Sequence, residues 1–179
     1  RTLCLVGLLA SASWPALAKD SIRINFESGI PEDVVVEDRD GALISPDVAE
    51  YGFQETDSWI GVTLPQENRR VAAACAWHIP GQPAADDWMI LPELTVGNDS
   101  YVLNWQARSS DNSFRNGYHI AVCEEGSGSY SKIYSVDSEE ADWTPRSLSL
   151  SAYAGKKIRI AFVSDSKDKA LIFIDDIFV

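Results

Sequence analysis

The sequence predicts an all-β protein, a β-sandwich of two antiparallel sheets, and three observations lead to this fold class. The chain has about ten short segments with strand-like apolar patterns. Turn-forming residues separate these segments, and no segment shows the periodicity of an amphipathic helix. Only residues 151–154 are expected to form a helical turn. With 179 residues, 45% of them hydrophobic, the chain is long enough to bury a core.

The first predicted strand, residues 21–27, alternates cleanly between apolar and polar side chains. The apolar face carries Ile22, Ile24 and Phe26, and the polar face carries Arg23, Asn25 and Glu27. A short apolar segment follows at residues 34–36, and then a long polar connection at residues 37–56. That connection contains Asp38-Arg39-Asp40-Gly41. Connections of this length are usually functional or are ordered by something bound to them.

Further strand patterns follow at short intervals along the chain. Residues 58–64 and 70–77 are expected to be neighbours, with Val71, Ala73, Cys75 and Trp77 on one face. The remaining predicted strands are residues 88–91, 101–108, 118–123, 130–136, 145–150, 157–163 and 169–179.

The closing strand, KALIFIDDIFV, is apolar on both faces, which is typical of a strand buried on both sides. Two adjacent carboxylates, Asp175 and Asp176, nevertheless lie in its middle and face opposite ways. A buried carboxylate without a partner is strongly unfavourable. At least one of the two therefore needs a cation, a metal ion or several hydrogen-bond donors.

Residues 1–18 have the pattern of a secretory signal peptide. A basic start precedes an apolar run, and the segment ends in Ala16-Leu17-Ala18, a small-residue cleavage site. We expect cleavage before Lys19, a single domain at residues 19–179, and a secreted or cell-surface location. The alternative is an apolar N-terminal helix retained in the fold, and the run is too short to be a transmembrane segment.

The formal net charge of −12 at pH 7 limits the classes of partner. An acidic surface disfavours nucleic acid and anionic membranes, and it is compatible with divalent cations. Solubility alone explains most of these carboxylates equally well.

Motifs for catalysis and for zinc binding are poor. His78 and His119 have no ligand spacing with the cysteines. His119 and Cys123 would lie about 13 Å apart on one strand, too far for a nucleophile–base pair. We therefore expect no enzyme activity. Cys75 and Cys123 either form a disulfide or remain buried thiols, and the spacing leaves both open.

Four blocks of sequence resemble a known family. They are residues 25–29 (NFESG), residues 86–92 (DDWMILP), residues 150–162 (LSAYAGKKIRIAF) and residues 172–179 (IFIDDIFV). In order and spacing they resemble the cleaved-adhesin or choice-of-anchor J family of secreted and surface proteins in Bacteroidetes, which includes the gingipain-type adhesin modules. The first and last blocks also resemble MAM domains and jelly-roll carbohydrate-binding modules.

The resemblance implies a jelly roll of the galactose-binding or concanavalin-like type, with neighbouring first and last strands and a structural calcium ion. The family's metal ligands fall on Glu27 and on Asp175, with Asp176 as the alternative. Its acidic loop falls on Asp38 and Asp40, where Ala42 and Leu43 replace the second half of the usual glycine-rich run. Calcium favours such oxygen ligands.

The tryptophans divide into two groups. Trp77 and Trp105 lie on apolar faces and are expected in the core, and the resemblance places Trp88 there too. Trp59 and Trp143 lie beside polar residues and are candidate stacking surfaces for a sugar ring.

These observations predict a secreted, non-catalytic, adhesin-like module that is stabilised by calcium and binds an extracellular host or matrix protein or a glycan. It could belong to a larger multidomain protein. The alternative is a carbohydrate-binding module of a polysaccharide-degrading enzyme. A lectin-like glycosidase would need two carboxylates across a groove, and no strand motif supplies them.

Overall fold

The computed structural model describes residues 19–179, so the predicted signal peptide at residues 1–18 lies outside the described residues. Strands dominate this part of the chain, with two short 3-10 helices at Pro46–Tyr51 and Ser151–Tyr153. In chain order the strands are β1 (Arg23–Ile24), β2 (Val35–Asp38), β3 (Ile60–Leu64), β4 (Arg69–Cys75), β5 (Asp87–Ile90), β6 (Leu94–Thr95), β7 (Val102–Ser109), β8 (Tyr118–Glu124), β9 (Ser131–Val136), β10 (Thr144–Ser149), β11 (Lys157–Ser164) and β12 (Leu171–Phe178).

These strands form two antiparallel sheets that pack as a jelly-roll sandwich, which confirms the predicted fold class. Sheet I has the order β10–β7–β12–β4–β3, and β1 also pairs with β12. Sheet II has the order β2–β5–β11–β8–β9, and β6 also pairs with β11. The first and last strands are therefore neighbours, as predicted.

The structure adds two elements that the sequence patterns did not predict. Strand β6 has only two residues, which is too short for an alternation to be recognised. The helix Pro46–Tyr51 lies inside the predicted polar connection. Both ends of this helix are capped. The Ser45 hydroxyl accepts from the backbone N–H of Asp47 at the start, and Gly52 ends the helix with a φ of 93°.

The main core lies between the two sheets and is centred on aromatic rings. Trp105, Tyr118 and Phe162 are fully buried and pack against one another. The indole N–H of Trp105 donates to the Tyr118 hydroxyl at 2.8 Å, and that hydroxyl donates to Glu139 at 3.2 Å. Glu139 is itself neutralised by Arg146 at 2.6 Å. The predicted core position of Trp105 is confirmed.

A second apolar layer covers the outer face of sheet I. Ile44, Val48 and Phe53, from the long connection, pack on the outward side chains of β4 and β12, including Val71 and Phe173. Both strands are consequently buried on both faces. The connection that was predicted to be polar therefore has a structural role, because it supplies the cover that the closing strand requires.

Strand β12 changes its alternation at Asp176. The φ of Asp176 is 50°, and the register against β7 shifts between Asp175 and Phe178. This bulge places Ile177 in the main core with Ile172 and Ile174, whereas simple alternation assigned it to the face of Asp175.

Arg69 neutralises both aspartates of β12. The side chain of Asp175 is only 3% exposed, and the Arg69 Nε donates to its Oδ2 at 2.5 Å. The Arg69 Nη2 donates to Asp176 Oδ2 at 2.9 Å. Burial raises the pKa of Asp175, and the hydrogen bonds from the Asp176 backbone and from Arg69 oppose that rise. The guanidinium group of Arg69 is thus the cation that the sequence pattern required as a partner for a buried carboxylate in this strand.

Cys75 and Cys123 are both free and buried. Cys75 belongs to the layer outside sheet I, whereas Cys123 lies on β8 of sheet II. Of the two alternatives, the structure therefore shows buried thiols.

We predict that Arg69→Met lowers the free energy of unfolding by about 3 kcal/mol or more, because it leaves the Asp175 carboxylate buried without its cation. Urea unfolding at pH 7 measures the change. The control is Arg115→Met, which breaks the exposed pair with Glu140 and is expected to cost about 1 kcal/mol or less. The double variant Arg69→Met/Asp175→Leu should recover stability. If Arg69→Met and Arg115→Met cost the same free energy of unfolding, Arg69 is not the partner that stabilises the buried Asp175 carboxylate.

We also predict that Trp59→Ala lowers the free energy of unfolding by about 3–5 kcal/mol, since Trp59 is 2% exposed within the main core. Trp143, which is half-buried, provides the comparison, and Trp143→Ala should cost less. Chemical denaturation of both variants measures the difference. A smaller cost for Trp59→Ala than for Trp143→Ala would show that Trp59 is not a core anchor.

Candidate functional site

Three carboxylates meet where β2 ends and β5 begins. Asp38 and Asp87 are paired across these two strands, and Asp40 follows in the turn after β2. One oxygen from each of the three lies within 4.8 Å of the others. Among the described residues, this is the one group of three or more acidic, histidine or cysteine side chains that is close enough to hold a metal ion.

Backbone N–H groups hold the turn and orient two of these carboxylates. Asp38 Oδ1 accepts from the backbone N–H of Asp40 at 3.0 Å and of Gly41 at 2.7 Å. Asp40 Oδ1 accepts from the backbone N–H of Ala42 at 2.7 Å, and its Oδ2 accepts from the backbone N–H of Asp86. Gly41 has a φ of 62°, which lets the chain turn back between these bonds.

The third carboxylate, Asp87, is buried and electrostatically strained. It is 3% exposed, and burial raises its pKa to about 8. A hydrogen bond from Ser58 opposes the rise, whereas the negative charges of Asp40, Asp38 and Asp86 add to it. The environment of Asp87 is therefore the reverse of that of Asp175, because its charged neighbours repel it.

This donor set fits calcium. Calcium binds about six to eight oxygen atoms at about 2.4 Å, so two ligands of one ion lie at most about 4.8 Å apart. The three aspartates satisfy that limit and provide hard oxygen ligands. A bound divalent cation would also offset the mutual repulsion of the three carboxylates.

The structure brings together only some of the predicted metal ligands. Asp38 and Asp40 meet, but Glu27 is exposed and lies beyond the end of β1. Asp175 and Asp176 contact Arg69 instead. Among residues 19–179, none of these three belongs to a candidate metal group. The sequence pattern does not reveal that Arg69 comes to lie beside β12 and supplies a cation to both aspartates.

Asp87 was not predicted as a candidate ligand, although it stands in the DDWMILP block. The predicted strand at residues 88–91 begins just after Asp87, and nothing in the sequence indicated that this strand starts opposite Asp38. Only the register of β2 on β5 places the two carboxylates together.

The tryptophans also depart from the predictions. Trp59 is a core residue whose indole N–H donates to the backbone carbonyl of Asp87 at 3.0 Å, so it cannot be a stacking surface. Trp143 donates to Glu67 at 2.7 Å, and the guanidinium groups of Arg69 and Arg108 lie 4.2 and 5.4 Å from its ring centre. Trp77, predicted in the core, is 46% exposed, because it lies just beyond the end of β4.

No helix in the described part of the chain has the length and apolar character needed to cross a membrane.

Comparison with known proteins gives matches at the level of structure. No model of a protein family matches the chain, and no curated protein matches its sequence. The K1 cleaved adhesin domain of Lys-gingipain from Porphyromonas gingivalis W83 superposes with a TM-score of 0.65 at 16% identity, over 88% of this chain and 96% of that one. The K2 cleaved adhesin domain of Lys-gingipain has a TM-score of 0.64 at 14% identity, over 88% and 98%.

Carbohydrate-binding modules share the fold more distantly. TmCBM61 in complex with β-1,4-galactotriose has a TM-score of 0.51 at 12% identity, over 86% of this chain and 92% of that one. A family 29 carbohydrate-binding module complexed with mannohexaose has a TM-score of 0.53 at 9% identity, over 88% and 89%. The chain therefore has the β-sandwich fold of the cleaved adhesin domains and is structurally related to that family, as the sequence blocks predicted.

Proposed function

We propose that residues 19–179 form a calcium-stabilised, non-catalytic binding module of the adhesin type, which acts outside the cell or at its surface and binds an extracellular protein or glycan. The observation that carries this proposal is the similarity to cleaved adhesin domains along 88% of the chain. A function as a carbohydrate-binding module is the second candidate, favoured by the similarity to two modules solved with oligosaccharides.

The proposed calcium ligands are Asp38, Asp40 and Asp87. A cation there would neutralise the buried carboxylate of Asp87 and connect the end of β2 to the start of β5. Its role is structural, since Asp87 is only 3% exposed. The same burial argues against a glycosidase, because a glycosidic oxygen would need direct access to a carboxyl group with a raised pKa.

The buried thiol of Cys75 also lacks the properties that a catalytic nucleophile requires. Burial raises the pKa of the Cys75 thiol to about 11, so the thiol is protonated at neutral pH. Its Sγ is already engaged by the backbone N–H of Trp77 at 3.3 Å. These properties support a module that binds without catalysing a reaction.

We predict that calcium raises the melting temperature relative to a chelator. At a concentration of 100 times the dissociation constant, the gain is about 2.7 kcal/mol, or about 5–10 °C for a domain of this size. Calorimetry of protein stripped of metal, with and without added calcium, measures the shift.

The variants Asp87→Asn and Asp40→Asn should abolish this shift, whereas the control Glu27→Gln should keep it, because Glu27 is exposed and outside the cluster. A shift that survives Asp87→Asn and is lost in Glu27→Gln would return the ion to the position that the sequence resemblance implied. No shift in the unaltered protein would exclude calcium stabilisation.

We predict that the protein is retained by members of a panel of extracellular-matrix proteins and glycans, and that it releases no product from the glycans. Surface plasmon resonance measures retention, and a reducing-sugar assay measures product. Hydrolysis that one Asp or Glu substitution removes would contradict a non-catalytic module, and retention by no member of the panel would contradict a binding function.

A further inference from the structure

A groove lies at the end of the sandwich where β4 and β11 end and β12 begins, which is also the end that carries the acidic cluster. Four segments border it, namely residues 45–47 at the start of the first 3-10 helix, the loop after β4, the loop before β8 and the loop between β11 and β12. Its volume is about 730 Å³, which is within the range of small-ligand sites. Neither the predicted calcium ligands nor the two predicted stacking tryptophans line this groove.

Two exposed aromatic rings line the groove. Trp77 is 46% exposed and Phe114 is 60% exposed. Aromatic rings on a surface offer apolar faces on which the C–H face of a pyranose ring can stack, while sugar hydroxyls remain available to polar groups. Trp77 and Phe114 therefore offer exposed ring faces in a groove that neither Trp59 nor Trp143 lines.

Hydrogen bonds hold the backbone of both aromatic residues in place. The backbone carbonyl of Trp77 accepts from the backbone N–H of Ser45 at 2.9 Å, and its N–H donates to Cys75 Sγ at 3.3 Å. The carbonyl of Phe114 accepts from the N–H of Ala170 at 2.9 Å. The exposed rings thus project from anchored positions, which reduces the entropy lost when a ligand binds.

Hydrogen bonds also join the three loops that follow β4, precede β8 and connect β11 to β12. The Ala170 carbonyl accepts from the backbone N–H of Ala76 at 3.4 Å and from the buried Asn116 side chain at 2.8 Å. The backbone N–H of Lys169 donates to the Ala76 carbonyl at 3.2 Å. The groove is therefore largely formed before any ligand arrives.

The lysines of this chain differ in whether they form ion pairs. Of six lysines in all, Lys19, Lys132, Lys156 and Lys157 form ion pairs with carboxylates. Lys167 and Lys169 form no ion pair with any described residue, and both line the groove. In a chain of net charge −12, the two unpaired ammonium groups lie at the same site.

Two carboxylates, Asp47 and Asp168, also line the groove, so its four charged side chains sum to a formal charge of zero in an otherwise acidic chain. Asp47 accepts from the Ser45 hydroxyl at 3.1 Å, and Asp168 lies between the two lysines in sequence. Carboxylates in a glycan site accept hydrogen bonds from sugar hydroxyls. The remaining acidic residues act weakly, since exposed charges beyond about 8 Å are screened at physiological ionic strength.

We propose that this groove binds an anionic glycan, with pyranose rings stacked on Trp77 and Phe114 and with a carboxylate or sulfate group of the sugar contacting Lys167 and Lys169. This inference rests on the proposed function and adds the place of binding and the class of ligand.

The test uses the full chain and isothermal titration calorimetry with defined oligosaccharides. The acidic probes are the galacturonate hexamer, the mannuronate hexamer and a heparin hexasaccharide. The neutral probes are the methyl ester of the same galacturonate hexamer and mannohexaose. We expect at least one acidic probe to bind about tenfold or more tightly than its neutral counterpart, because only the acidic probe satisfies the two lysines.

Variants separate stacking from charge recognition. Trp77→Ala should weaken binding of acidic and neutral probes alike by about tenfold, since stacking does not depend on charge. Lys167→Ala/Lys169→Ala should weaken only the acidic probes, again by about tenfold. The controls are Phe178→Ala, which removes an exposed ring on another surface, and Lys156→Ala/Lys157→Ala, which makes the same change of charge elsewhere. Neither control should alter binding.

The outcomes distinguish this proposal from the proposed function. If no acidic probe binds, or if the neutral probes bind with equal affinity, the proposal of an anionic ligand is wrong. If Trp77→Ala leaves binding unchanged, the glycan does not bind in this groove, even if the module still binds a glycan or a matrix protein elsewhere. Because the substituted side chains are on the surface, we expect the variants to keep the melting temperature of the unaltered protein. An unchanged melting temperature excludes misfolding as the cause of weaker binding.

Discussion

The fold depends on the burial of strand β12 on both of its faces. Sheet II covers the inner face, and the segment that carries Ile44, Val48 and Phe53 covers the outer one. Such a strand gains apolar stabilisation from two sides, but any charge within it loses its water. The guanidinium of Arg69 on β4 resolves this conflict by binding Asp175, and the bulge at Asp176 exposes the second carboxylate to solvent. The long connection and the neighbouring strand are thus both required by the closing strand.

Buried carboxylates in this protein meet two different environments. Asp175 is paired with Arg69, and Glu139 is paired with Arg146 beside the hydroxyl of Tyr118. Asp87 instead faces other carboxylates, and its raised pKa reflects burial together with their repulsion. The first two sites are complete without an additional ion. The third has the oxygen-rich, negatively charged surroundings in which a divalent cation is most favourable.

The acidic cluster and the groove lie at opposite ends of one segment. This segment begins with Trp77 at the end of β4 and ends at Asp86, immediately before Asp87. The Asp86 backbone donates to Asp40, and the backbone N–H of Ala85 donates to the Ser166 carbonyl in the loop between β11 and β12 at 2.9 Å. A cation bound at the cluster would therefore hold one end of a loop whose other end carries a proposed ligand-binding ring. The proposed cation site and the proposed glycan site thus use different residues but share this connection.

The sequence by itself determined the all-β class, the order of most strands, the double burial of β12 and the acidic turn at Asp38 and Asp40, because these depend on local alternation and local composition. Only the tertiary structure decided which groups meet across strands. It placed Arg69 on Asp175, Asp87 beside Asp38, and Trp59 in the core while Trp77 stayed exposed. The physical reason is that partner choice follows from sheet order and register, and these arise from contacts between residues far apart in the chain.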